Sequence, residues 1–219
     1  MMGRKAILLA CALSATASAG ASAASLSVLP EAIGGGNDFA SDMAAEFGAG
    51  NVGYGVLTGV DAGGGSTFFF TRWGSESGYV NTFTADNGTT SGSLVESADP
   101  WGCGGSAAGC GDAAPLQFSL AFSGVLDAGA FKFTSNKGAP SQIGHTGMGL
   151  YYALDNSFSY AFLSYDDDGA GPDDNHDDFV VKVSASGLNV TPVPLPATAW
   201  LFLSALGGFV TFGRRKARS

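Results

Sequence analysis

Acidic side chains are crowded into one short stretch of this chain. Residues 166–178 carry seven aspartates. Oxygen ligands at alternate positions suit Ca²⁺, and a bound cation would relieve the repulsion between the carboxylates. Asp173, Asn175 and Asp177 have the spacing that opens an EF-hand loop, but Asp178 stands where that loop needs glycine, and no glutamate closes it. The stretch therefore predicts either a calcium site of another kind or a solvated acidic loop.

Two cysteines lie close enough in the sequence to form a disulfide bond. Only glycine, serine and alanine separate Cys103 from Cys110, so the chain can fold back and bring the two thiols together. Cys11 lies in an N-terminal export segment and leaves with it. A zinc site would need two further ligands, and His145 and His176 form no recognisable motif with the cysteines. We predict a disulfide between Cys103 and Cys110, which would stabilise the exported protein by about 2.5 kcal/mol.

The chain is poor in the groups that nucleophilic catalysis requires. His145 and His176 are its two histidines, and neither stands in a motif with a nucleophile. The glycines at 63–65 are not followed by the lysine and serine or threonine of a phosphate-binding loop. The paired carboxylates of a glycosidase need only be close in space, so the sequence leaves that chemistry open. We predict a protein that is not an enzyme, with a secreted carbohydrate-active enzyme as the alternative.

Short strands make up most of the framework that must position these groups. From Val52 onward, brief runs rich in aromatic and β-branched residues are separated by glycine, asparagine and aspartate, and several alternate between apolar and polar residues. Eight such runs, in a chain with 34 glycines, are typical of an antiparallel β-sandwich or jelly roll. The predicted strands are 52–60, 66–73, 78–85, 116–125, 130–135, 147–154, 158–165 and 179–190.

Two local patterns add a helix and a hairpin to this framework. Phe39, Met43 and Phe47 recur every fourth residue behind an Asn-Asp pair, which predicts one short helix. Aromatic residues on both sides of Asp155 and Asn156 predict a hairpin that turns at these two residues. The sequence therefore predicts one helix before the strands and one tight turn that joins two neighbouring strands.

The density of aromatic residues also suggests carbohydrate binding, because sugar rings stack on aromatic faces. Most of these residues alternate with small polar ones, as the inward-facing side chains of a β-sandwich do. They are predicted to fill the core. Trp73 and Trp101 lie in glycine-rich surroundings and are the better candidates for a sugar-binding surface.

The N-terminus has the composition of a secretory signal peptide. Arg4 and Lys5 precede an apolar, alanine-rich run, and Ala21 and Ala23 supply the small residues of a cleavage site. We predict that a signal peptidase removes residues 1–23. The remaining chain would be exported into an oxidising compartment.

The C-terminus combines a short proline motif, an apolar run and a basic tail. Ala197 to Gly213 contains no charge and would extend about 26 Å as a helix, the short end of what spans a membrane. The basic residues that follow predict a cytoplasmic C-terminus. The motif and the first basic residues are Val193, Pro194, Leu195, Pro196 and Ala197, then Arg214 and Arg215.

This order of parts resembles the PEP-CTERM sorting signal of exported Gram-negative proteins, in its VPLPA form. The commoner form has an acidic residue where Leu195 stands, which leaves open which exosortase-type peptidase would read it. The resemblance implies transient anchoring in the inner membrane and cleavage near the motif, whereas a plain anchor would stay uncleaved. The acidic stretch also resembles the one that commonly precedes the anchor in such proteins. By that resemblance the candidate calcium ligands are Asp166, Asp168, Asp173, Asn175, Asp177 and Asp178.

The predicted organisation is a signal peptide at 1–23, an extracytoplasmic domain at 24–191 and a sorting signal at 192–219. All 19 acidic residues lie in the central domain, so it is not expected to bind nucleic acid or anionic lipid through its charge. Because proteins with this signal tend to occur with exopolysaccharide systems, the resemblance implies a structural or adhesive protein of the cell surface or biofilm matrix. A calcium-dependent carbohydrate-binding module is the alternative binding function.

Overall fold

The structure, a computed structural model, describes residues 23–32, 39–75, 77, 79–96, 116–136, 140–167 and 178–193. Within these residues the chain is mostly β, with two sheets and one α-helix. The elements are β1 (Ser25–Pro30), α1 (Phe39–Phe47), β2 (Val52–Asp61), β3 (Ser66–Gly74), β4 (Asn81–Asp86), β5 (Ser91–Val95), β6 (Gln117–Phe122), β7 (Phe131–Ser135), β8 (Ser141–Gln142), β9 (Met148–Ala153), β10 (Tyr160–Tyr165), β11 (Phe179–Ala185) and β12 (Asn189–Pro192), with a 3₁₀ turn at Ala128–Ala130 before β7.

The strands form a larger and a smaller sheet. The larger sheet has the order β12-β1-β2-β9-β10-β11-β3-β6, and the smaller has the order β5-β4-β7-β8. The paired strands are antiparallel, with the exception of β1 and β12, which run parallel at one edge of the larger sheet. In that pair Ser25 lies beside Asn189 and Val28 beside Pro192. The first and last strands of the described chain are therefore neighbours.

A shared aromatic core joins the inner faces of the two sheets. Alternation in β3 turns Phe68 and Phe70 inward, and both side chains are fully buried. The ring of Phe70 lies 5.2 Å from that of Phe131 in β7 and 5.2 Å from that of Phe83 in β4. The first pair is edge-to-face and the second is tilted, and aromatic contacts at such distances add to the stabilisation that burial alone provides.

The helix α1 packs on the outer face of the larger sheet. Its buried residues Phe39, Met43 and Phe47 recur at the spacing of one helical face. The ring of Phe39 lies 5.2 Å from that of Tyr151 in β9, and the ring of Phe47 lies 5.6 Å from that of Phe162 in β10. A second apolar cluster therefore lies beneath α1, and the larger sheet is covered on both sides in this region.

The sequence patterns predicted several elements correctly. The helix at Phe39–Phe47 and the hairpin between β9 and β10 are confirmed, and Asn156 in that hairpin has a φ of 52°, a left-handed conformation that asparagine tolerates. The predicted strand at 179–190 was wrong in one respect, because a turn containing Gly187 divides it into β11 and β12. β5 was missed because it is short and buries only Leu94.

Several predictions concern parts of the chain that lie outside the described residues. These are the signal peptide, the predicted disulfide of Cys103 and Cys110, and the sorting signal beyond Val193. Within the described ranges, no helix is long and apolar enough to cross a membrane. The predicted C-terminal transmembrane helix is therefore still a prediction from the sequence.

Candidate functional site: a buried acidic cluster

Three chain segments bring carboxylates together at one end of β3, β4 and β5. Glu96 directly follows β5, Asp167 follows β10, and Asp178 precedes β11. Ser75 and Ser77, in the connection from β3 to β4, and Asn81, the first residue of β4, supply the polar groups between them. We call these six residues the acidic cluster. Glu96 and Asp167 are each only 3% exposed, and Asn81 is fully buried.

Hydrogen bonds connect most of the polar atoms of the acidic cluster. Asp167 Oδ2 accepts hydrogen bonds from Ser77 Oγ at 2.5 Å and from Asn81 Nδ2 at 2.9 Å. Asp178 Oδ2 accepts from the main-chain N–H of Asp167 at 2.7 Å. Asn81 Oδ1, by contrast, is buried without a hydrogen-bond partner among the described residues. The cluster thus holds more acceptors than donors.

Both carboxyl oxygens of Glu96 contact polar groups of the acidic cluster. Oε2 accepts the main-chain N–H of Asn81 at 3.0 Å, and Oε1 contacts the hydroxyl of Ser75. Burial raises the pKa of Glu96 to about 8, and the negative charges of Asp167 and Asp178 contribute to the increase. The hydrogen bond from Asn81 and the charge of Arg72 act in the opposite direction and do not offset it. At neutral pH the site therefore favours the neutral form of this carboxyl group.

Two of the predicted calcium ligands lie at this end of the molecule. Asp178 belongs to the acidic cluster, and Asp166 is buried beside it, with its main-chain N–H donating to Gly147 O at 3.3 Å. Among the residues that the structure describes, no group of three or more His, Cys, Asp or Glu side chains is placed to hold a metal ion. The calcium site remains a prediction. The other predicted ligands lie outside the described residues, and they are Asp168, Asp173, Asn175 and Asp177.

The sequence did not indicate Glu96 or Asn81 as members of a site. Glu96 follows a strand that the hydrophobic pattern missed, and it lies far along the chain from the aspartates. Asn81 is one of several polar residues of β4, and nothing in the sequence distinguishes it from the threonines that follow. The one sequence signal that bears on this site is the position of the acidic stretch between two strands, since it places Asp167 and Asp178 at adjacent strand ends.

His145 forms a local hydrogen-bonded turn with Ser141. Its Nδ1 accepts the main-chain N–H of Gly147 at 3.0 Å and lies 3.1 Å from Ser141 Oγ. Ser141 is 2% exposed, so its hydroxyl is shielded from any bound molecule. Because Nδ1 already accepts a main-chain hydrogen bond, the observed geometry fits a turn better than an activated serine.

An open groove lies at the other end of β3, β4 and β5, with a volume of about 820 Å³. The turn between β4 and β5 forms one wall, where Asn87 Oδ1 accepts the main-chain N–H groups of Thr89 at 3.0 Å and Thr90 at 2.8 Å. Asp86 and Asp127 also line the groove. None of its lining residues within the described chain is lysine or arginine, which disfavours an anionic ligand.

Trp73, one of the two tryptophans predicted to offer a sugar-binding surface, is half-buried beside α1. Its ring lies 4.8 Å from that of Phe162, and Lys182 Nζ lies 5.2 Å from its centroid. Trp101 lies outside the described residues. No family model, no curated protein and no solved structure matches this chain.

Proposed function

We propose that this chain is an exported protein of the cell surface or extracellular matrix, in which a β-sandwich domain is carried between a signal peptide and a VPLPA sorting signal. Its role is structural or adhesive, in an exopolysaccharide or biofilm matrix, and not enzymatic. The two facing sheets with a shared aromatic core support the β-sandwich assignment.

The observation that carries this proposal is where the first and last described strands lie relative to the predicted cleavage sites. The carbonyl of Ala24, directly after the predicted cleavage site, accepts the N–H of Asn189 at 3.0 Å. At the other end of the same pair of strands, the N–H of Val193 donates to Val28 at 2.7 Å. The ladder between β1 and β12 thus extends as far as the first residue of the sorting motif. Cleavage after residue 23 and between Pro194 and Ala197 would therefore leave every described strand intact.

Intact-mass measurement of the protein recovered from the cell surface tests this proposal. We expect a mass that lacks residues 1–23 and ends near the motif between Pro194 and Ala197. A variant in which Pro194 and Pro196 are both alanine should keep its C-terminal tail and stay in the inner membrane. A wild-type mass that still contains Arg214 and Arg215 would reduce the signal to a plain anchor, and an intact N-terminus would refute export.

The groove supports a second candidate function, the binding of neutral carbohydrate. Asn87 holds one wall rigidly, because its Nδ2 also donates to Ala121 O at 2.9 Å. Val125 is 79% exposed and offers an apolar contact at the groove, while Asp86 and Asp127 can accept hydrogen bonds from sugar hydroxyls. This arrangement suits a neutral saccharide better than a uronic or sulfated one, because carboxylates repel anions.

Affinity electrophoresis in gels that contain neutral or anionic polysaccharides tests the second function. We expect retardation by neutral polymers only, and a loss of retardation in Asp127→Asn. The matched control is Glu31→Gln, an exposed acid outside the groove. Release of reducing ends, measured on the same samples, would instead indicate a carbohydrate-active enzyme. Equal mobility in every gel would refute carbohydrate binding.

A further inference from the structure

We propose that the ligand of the groove is a polysaccharide chain, which continues from the groove along the outer face of β3 and stacks a sugar ring on Phe69. This inference rests on the proposed binding of neutral carbohydrate and extends it from a local contact to a longer track. The track lies on the part of the larger sheet where the outward side chains of β3 and β6 are exposed.

Alternation along β3 and β6 places six side chains on this outer face. Phe68 and Phe70 point into the core, so the residues between and beside them point outward. Strand pairing arranges the six in three rows, which are Thr67 beside Ala121, Phe69 beside Ser119, and Thr71 beside Gln117. We call these six residues the platform. Phe69 therefore lies in its middle row.

Phe69 is the apolar centre of the platform, and its side chain is 52% exposed. Its neighbours in the adjacent strands carry hydroxyl groups, Ser119 on one side and Ser184 of β11 on the other. A sugar ring presents C–H groups on its faces and hydroxyl groups around its edge. An aromatic ring flanked by hydroxyl groups complements both, whereas a wholly apolar partner would leave those hydroxyl groups without hydrogen bonds.

The platform is free of the negative charge that dominates this protein. The chain has 19 acidic residues, and the strands β3, β6 and β11 contain none of them. Lys182 of β11 lies beside Thr71. Its Nζ is 3.9 Å from Glu46 Oε1 and 3.6 Å from the centroid of the Tyr160 ring, so its charge is already engaged. An uncharged face on an acidic protein suits a neutral polymer better than an anionic one.

The groove adjoins the platform. Ala121 belongs to both, since it lines the groove and forms a row of the platform with Thr67. Gly65, directly before β3, also lines the groove. From Ala121 to Gln117 the strand extends about 13 Å, which is longer than one sugar ring. A polymer that occupies the groove therefore has a continuous path across Phe69, whereas a single sugar would use the groove alone.

Affinity electrophoresis in gels that contain hydroxyethyl cellulose, laminarin or galactomannan, three neutral polysaccharides, tests the platform. We expect Phe69→Ala to bind the polymer that retards the wild type about tenfold more weakly, because the exposed half of an aromatic side chain would no longer be covered. Phe69→Tyr keeps the ring and should bind as the wild type does. The matched control is Leu154→Ala, because Leu154 is 54% exposed and lies outside both the platform and the groove. Equal retardation of Phe69→Ala and the wild type would overturn the proposal and leave binding in the groove intact.

Calorimetric titration with fragments of the retarding polymer separates the platform from the groove. We expect the wild type to bind a hexasaccharide about tenfold more tightly than a disaccharide, and Phe69→Ala to lose this preference. Asp127→Asn should weaken the binding of both fragments, because Asp127 lines the groove. Equal affinities of the wild type for the two fragments would overturn the track alone. Binding of neither polymer nor fragment would refute the carbohydrate-binding function, and the track with it.

Sedimentation velocity tests the competing occupant of the platform, which is a second copy of this chain. We expect the wild type and Phe69→Ala to sediment alike at every protein concentration. If the wild type forms a dimer that Phe69→Ala does not form, and both proteins are retarded equally in the gels, the platform is an interface between copies and the proposal is overturned.

Discussion

Two glutamates of this protein make similar contacts in opposite electrostatic surroundings. Glu46, at the end of α1, accepts a hydrogen bond from Tyr160 Oη at 2.5 Å and lies 3.9 Å from Lys182 Nζ. Glu96 also contacts a hydroxyl, that of Ser75, but its neighbours are Asp167 and Asp178. The hydroxyl contact alone does not decide the role of the carboxyl group. For Glu96, burial is the main cause of the raised pKa, and the negative charges beside it add to the effect.

The region around α1 depends on a cation and aromatic rings, whereas the acidic cluster depends on hydrogen-bond donors. Lys182 Nζ lies 3.6 Å from the centroid of the Tyr160 ring and near the rings of Trp73 and Phe162. Burial lowers the pKa of Lys182, and the charge of Glu46 partly restores it. We therefore expect the first region to respond mainly to loss of packing and the second mainly to pH.

The largest expected effect comes from the packing beneath α1. Phe162→Ala removes a fully buried ring that contacts Phe39, Phe47 and Trp73, and should lower the free energy of unfolding by about 3–5 kcal/mol. Urea unfolding measures the loss. The matched control is Phe69→Ala, because Phe69 is 52% exposed and should change stability by less than about 0.5 kcal/mol. If the two variants lose the same free energy of unfolding, the buried ring contributes no more than an exposed one, and the packing beneath α1 does not stabilise the fold.

The next effect is the dependence of stability on pH at the acidic cluster. The folded protein raises the pKa of Glu96 from 4.5 to about 8, so the unfolded chain releases this proton first. Glu96 therefore stabilises the fold fully below pH 4.5, and its contribution is lost as the pH rises to about 8, by up to about 1.4 kcal/mol per pH unit.

Thermal melts of the wild type and Glu96→Gln across this range measure the difference. We expect the variant to gain stability relative to the wild type as the pH rises from 6 to 8, by about 2–3 kcal/mol. The carboxylates that titrate at lower pH are common to both proteins and cancel in the comparison. A constant difference between the two melting curves would contradict the prediction.

A smaller effect is expected from Asn81. Asn81→Ala removes the side-chain donor to Asp167 and to the carbonyl of Asp178, and should cost about 1–3 kcal/mol because the carboxylate of Asp167 stays buried. Thr82→Ala, at the half-buried neighbouring position of β4, serves as the control. A neutral result for Asn81→Ala would mean that water replaces the amide, and the cluster would then be less closed than its burial indicates.

The smallest effect is the coupling between Tyr160 and Glu46. Tyr160→Phe keeps the ring under Lys182 but removes the hydroxyl, and should cost about 1 kcal/mol. A double-mutant cycle with Glu46→Gln isolates the interaction, and we expect a coupling energy of about 0.5–1 kcal/mol. A coupling of zero would mean that the ring alone positions this end of α1.

The sequence predicted local elements better than the relations between distant ones. Phe39, Met43 and Phe47 identify α1 because residues on one face of a helix recur about every fourth position. The acidic stretch was visible as a run, and the position of Asp167 and Asp178 at adjacent strand ends follows from the hairpin of β10 and β11. Glu96 could not be predicted, since its approach to them depends on how the two sheets face each other, which no local pattern encodes.

The parallel pairing of β1 with β12 has a consequence for the order of folding. The chain is made from its N-terminus, so β1 is available first and β12 last among the described strands. Until Asn189–Pro192 has been synthesised and has paired with β1, one edge of β1 keeps unpaired N–H and C=O groups that can pair with another chain. Contacts between residues so far apart in sequence also form slowly. Pairing with the last strand therefore covers β1 and leaves the four-residue β12 as the edge of the sheet, and a short edge strand offers fewer groups for pairing with another chain.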